Sequence, residues 1–109
     1  MRAARRPQLR PEFAAEPFTE ACIAIAPTTR GVVQLYRDGR LIYAGKALSG
    51  IRGELERHYR GEYGECTRAA TAFDYQITPD PERALRELLR EYMARYGARL
   101  PACNEVRIP

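Results

Sequence analysis

The single histidine of this chain, His58, stands four residues after Glu54. On a helix that spacing puts an imidazole and a carboxylate on one face, one turn apart. A carboxylate so placed favours imidazolium, so His58 is expected to be a cation or a satisfied partner rather than a free base. Tyr43 supplies a phenol upstream, and arginines at 30, 52, 57 and 60, with Lys46, supply cations suited to phosphate. Cys22, Cys66 and Cys103 are odd in number and without CxxC spacing. Cys66 and Cys103 with His58 make a conceivable metal set, but separations this irregular read as core packing, and no metal ligand is assigned.

At 109 residues the chain has room for one domain. Hydrophobic residues at 45% and charged residues at 29% are ordinary for a globular fold. A net charge of +4 and a pI near 9.2 leave a soluble surface and attraction to a polyanion about equally open. Lys46 is the one lysine among 18 basic residues. The odd cysteine count argues against a secreted disulfide framework, so a reducing cytoplasm is expected. No apolar leader and no run of membrane-spanning length is present, so no membrane partner is expected.

Residues 1–15, with Arg2, Arg5, Arg6, Arg10, Pro7 and Pro11, read as a basic arm, and 16–109 as a single domain. A short helix is expected over 17–25, with Phe18, Cys22 and Ile25 on one face and Pro27 as its stop; the alternation at Ile23 and Ile25 also permits a strand. Strands at 31–37 and 40–45 flank Asp38-Gly39, a turn pair that tolerates positive φ. A helix over 49–60 carries Ile51, Leu55 and Tyr59 at i, i+4, i+8, and Gly61 and Gly64 break it. Residues 71–77 alternate as a third strand, with Phe73, Tyr75 and Ile77 inward. A last helix is expected from Thr78 as N-cap and Pro79 as first residue, with Glu82 near its start. It carries a stripe of Leu85, Leu88, Leu89, Tyr92, Met93 and Tyr96 and ends at Gly97. The order gives an α+β domain: a small antiparallel three-stranded sheet flanked by helices.

Taken together, Gly31-Val32-Val33, Tyr43-Ala44-Gly45 with Lys46, His58 and Pro101-Ala102-Cys103-Asn104 resemble the GIY-YIG nuclease domain in order and spacing, over residues 30–104. The resemblance implies Tyr43 and His58 as catalytic positions, Gly31, Gly45 and Asn104 as framework, and Arg30, Lys46, Arg52, Arg57 and Arg60 as contacts to nucleic acid, DNA ahead of RNA. It also implies Mg2+ or Mn2+ if the domain is active. Three matched positions depart from the family: Val33 for the first motif tyrosine, Glu54 for the helical arginine, and Leu85 for the metal-binding glutamate.

A carboxylate where the family has a cation repels phosphate, and leucine binds no ion. The implied function is therefore a nuclease-fold protein that binds nucleic acid with weak or absent catalysis. Two rivals stay open. One is an active endonuclease with relocated groups, drawn from Arg52 or Arg57 and from Glu82 or Glu87. Arg52, about 200° around the helix from Glu54 at ~100° per residue, is a poor substitute. The other rival is a protein-interaction module, docking through the old cleft or through Tyr92 and Tyr96.

Overall fold

A computed structural model describes residues 15–105. The expected basic arm lies outside the described residues but for Ala15. The fold is α+β: β1 (Glu16–Pro17), α1 (Glu20–Ala24), β2 (Gly31–Arg37), β3 (Arg40–Ala47), α2 (Ile51–Tyr59), α3 (Glu65–Arg68), β4 (Ala72–Ile77) and α4 (Pro81–Arg95), then a 3-10 turn at Ala102–Asn104. The sheet has four antiparallel strands in the order β1-β4-β2-β3, one more than expected. The extra strand is two residues long, Glu16 opposite Phe73 and Pro17 opposite Ala72, too short to leave a periodic signal.

Asp38 and Gly39 take φ of 51° and 84°, so the hairpin turns through the left-handed backbone their types allow. Thr19, not a residue near Pro17, caps α1, its Oγ1 accepting from Cys22 N at 3.3 Å. The buried residue of α1 is Ile23, while Ile25 is 80% exposed, so the face expected through Phe18, Cys22 and Ile25 is rotated. Helix α4 starts two residues later than expected. Asp80 is its N-cap, accepting from Arg83 N at 3.2 Å, and Pro81 occupies the first turn. Thr78 instead closes the preceding turn by accepting from Asp80 N.

Two cores lie on the two faces of the sheet. Val33, Leu35, Ala47 and Phe73 meet Ile51 and Leu55 of α2, with Ile23 and Cys103. On the opposite face Val32, Tyr36, Leu41 and Ala44 meet Ala84 and Leu88 of α4. Leu85, Leu89 and Tyr92 flank this second core, which accounts for Leu85 as packing. Of the residues expected to line β4 inward, Phe73 is buried, Tyr75 half-buried and Ile77 58% exposed, at the strand's end.

β3 is an outer strand, and its edge is covered by the C-terminal turn. The side-chain amide of Asn104 accepts from Ala44 N and donates to Ala44 O, both at 2.9 Å, as a fifth strand would. Replacing Asn104 by Ala leaves two half-buried backbone groups unpartnered and is expected to cost about 2–3 kcal/mol, read as a lower urea midpoint at unchanged slope. Asn104→Asp, which retains the acceptor alone, should fall between.

Candidate functional site

The cleft is built on a β-bulge. Leu35 opposes Tyr43 and Tyr36 opposes Leu41, so Ile42 has no partner on β2. Strict alternation would put Tyr43 on the α4 face with Leu41; the extra residue turns it to the α2 face instead. There its ring lies over Gly45, two residues on, where an added Cβ would collide with the phenol. The ring meets His58, centroids 4.9 Å apart, and Tyr63 packs on His58 at 4.6 Å.

His58 is fully buried, with Nδ1 2.7 Å from Oγ1 of buried Thr67 on α3. Burial pushes its pKa down from 6.5 to about 4, so desolvation outweighs the nearby carboxylate and the imidazole is neutral. The imidazolium expectation therefore does not hold, and the ring is only half satisfied: Nδ1 has Thr67, while Nε2 is buried without a hydrogen-bond partner. A depressed pKa contributes stability above pH 6.5 that is lost as pH falls toward 4, by about 3 kcal/mol. Glu54, held above its ordinary range chiefly by burial, acts with the opposite sign. Thermal denaturation of Glu54→Gln from pH 7 to 4.5 is thus expected to show the His58 loss undiluted; a flat profile would refute the assignment.

Three groups that can donate surround the Glu54 carboxylate. Arg57 Nη1 is 3.4 Å from Oε1, Tyr63 is hydrogen-bonded to the carboxylate, and His58 Nε2 lies 3.8 Å from Oε2. The charge also reaches Tyr43, whose phenol burial raises to about 12 with Glu54 adding to the shift. Tyr43 is accordingly a neutral donor near pH 7 and a poor base. Glu54 itself is only 14% exposed at its side chain.

The other sequence-derived positions are not drawn into this cleft. Lys46 pairs across the sheet with Val32, on the α4 face, and its Nζ bonds Glu82 at 3.0 Å. Glu87 pairs with Arg83 on the same helix. Arg60 pairs with Glu62, and Arg52 Nε donates to the Ala26 carbonyl at 2.8 Å. Arg30 is exposed and makes no ion pair among the described residues. Val33 is fully buried in the core beside Leu35.

A divalent ion needs several hard oxygen ligands. The cleft offers one carboxylate, already held by Arg57 and Tyr63, while Glu82 and Glu87 belong to the helix on the opposite sheet face. Those residues do not fit a Mg2+ or Mn2+ centre. No group of three or more His, Cys, Asp or Glu converges among the described residues. Cys66 and Cys103 are joined in a disulfide with Cα atoms 5.7 Å apart, which removes both as thiolate ligands beside His58 and leaves Cys22 as the free thiol.

Tyr63 and Thr67 escaped the sequence reading. The one signal for Tyr63 was an aromatic between Gly61 and Gly64, both at positive φ. Thr67 sits on a helix of four residues, below the length at which periodicity shows. No protein-family model matches the chain, and no curated protein matches it. No helix among the described residues is long and apolar enough to cross a membrane.

Proposed function

We propose that this chain is a GIY-YIG-fold protein that contacts nucleic acid without cutting it. What supports the fold reading is the hairpin–helix–strand–helix order, with Tyr43 brought against His58 and Asn104 anchoring the motif strand. The observation that carries the loss of catalysis is Glu54. It occupies the position of the family's helical cation and engages Arg57 and Tyr63, donors a scissile phosphate would need. Phosphodiester hydrolysis requires positive charge to stabilise the charge building at phosphorus. A resident carboxylate opposes that.

Contact with nucleic acid is then an electrostatic, largely sequence-blind affair of exposed arginines around Arg30, Arg57 and Arg60 and of the +4 net charge. DNA stays ahead of RNA on the family resemblance; the cytoplasm, expected from the odd cysteine count, sits against the Cys66–Cys103 disulfide, which an oxidising compartment favours. A gel-shift series should show duplex and single-stranded oligonucleotides retarded at low salt and released steeply as salt rises. Absence of any retardation by DNA or RNA at low salt would overturn the proposal.

A further inference from the structure

Two contacts hold the walls of the cleft, and each follows a cysteine directly. Thr67, next to Cys66, bonds His58; Asn104, next to Cys103, bonds the backbone of Ala44 beside Tyr43. Cys66 and Cys103 are bonded to one another, so one covalent link ties α3 to the 3-10 turn and thereby His58's wall to Tyr43's wall. α3 is only four residues long, and its N-cap position is Gly64 with no side-chain cap. Such an element has little of its own to keep it in place. Cys103 is buried, whereas Cys66 is partly exposed near the helix start, so exchange has an entry side.

The Thr67 contact also decides which nitrogen of His58 carries the proton. The buried Thr67 hydroxyl hydrogen needs an acceptor, and Nδ1 is the one beside it. Nε2 then carries the hydrogen, without a hydrogen-bond partner but with Glu54 Oε2 3.8 Å away; the other tautomer would set a lone pair facing that carboxylate.

We propose that the Cys66–Cys103 disulfide is a redox-operated brace of the cleft: oxidised, it fixes Thr67 on His58 and Asn104 on Ala44; reduced, it releases both. The chemistry is exchange with a small dithiol. One reductant thiolate attacks Sγ of Cys66, the S–S bond breaks, and Cys103 leaves as a thiolate that takes up a proton. The second reductant thiol then displaces Cys66 and closes a cyclic disulfide, so two electrons pass to the protein and the reductant is oxidised. A reducing compartment would hold the brace open and an oxidising one shut.

This inference concerns the cleft's geometry and is tested without nucleic acid, so it stands or falls apart from the proposed function. His58 is the chain's only histidine, which makes its ring signals unambiguous. In the oxidised protein, long-range proton–nitrogen NMR is expected to show an Nε2–H tautomer, with the Ala44 amide slow to exchange. On adding dithiothreitol, with two further thiols confirmed by alkylation and mass, the tautomer signature should average and Ala44 exchange should quicken at least tenfold. The Cys66→Ser, Cys103→Ser pair should match the reduced state with or without reductant. Three results would overturn the brace: unchanged His58 and Ala44 signals after reduction, alkylation of Cys66 or Cys103, beyond that of free Cys22, without reductant, or equal acceleration at core amides such as Val33, which marks a general staple.

Discussion

Glu54→Gln is expected to tighten binding of a short duplex oligonucleotide ten- to hundred-fold at low salt. The carboxylate lies within contact of Arg57, Tyr63 and His58, with Tyr43 in its field, so an entering phosphate must both displace it and approach it. At roughly 6–10 Å and an effective dielectric near 20, removing that repulsion is worth about 1.5–3 kcal/mol. The amide has the carboxylate's shape and still accepts from Tyr63 and Arg57, so the fold should persist. Titration by fluorescence anisotropy checks it. Equal or weaker affinity in the variant would mean that phosphate does not come near this cleft. Salt should erode the difference, because part of it is long-range attraction regained.

Gly31→Ala is expected to be the most damaging single-methyl change in the chain. Gly31 is buried at the crossing of β2, β4 and α2, opposite both Ala47 and Ile77. A Cβ there would collide with the Gln76 backbone carbonyl and come within 2.8 Å of Ile51 Cδ1. Backbone cannot step aside as a side-chain tip can, so the strand pair or the helix must shift. The expected cost is at the top of the range for overpacking, about 3 kcal/mol, or a fall in Tm of roughly 15–20 °C for a domain of this size. Gly45→Ala makes the informative contrast, since its clash is with the ring of Tyr43. Its expected effect is a displaced phenol, visible as changed His58 ring shifts, with a smaller loss of Tm. A Gly31→Ala protein that melts like the parent would refute the packing account of this glycine.

How far these features were legible in the sequence depends on the range of the interaction behind each. The hairpin was readable because Asp38-Gly39 fixes its own backbone locally. Ile51 and Leu55 were readable because α2 has one buried face. The start of α4 was misplaced because Thr-Pro-Asp-Pro contains two cap-and-proline frames, and Thr78 is engaged with Asp80 N. The bulge at Ile42 was not readable, since it arises from pairing with a strand whose register the sequence does not state. Yet that bulge decides that Tyr43 faces His58. Glu54 was recognised as a change of sign, but Tyr63 and Arg57 closing on it is a tertiary fact. The disulfide runs against the odd cysteine count, which argues for reduced core thiols; the count is odd because Cys22 stands free beside one bonded pair, a pairing made only by the fold. Neutral His58 was missed because burial is invisible in a four-residue spacing, and burial prevailed over charge.

The most direct test of a binding, non-cutting domain is one gel of supercoiled plasmid incubated with the full chain and Mg2+ or Mn2+, run beside a Tyr43→Phe control. The account predicts retardation of the plasmid before denaturation of the protein and intact supercoiled plasmid after it, for both proteins. Nicked or linear plasmid from the parent chain, absent with Tyr43→Phe, would contradict it and establish a nuclease at this cleft.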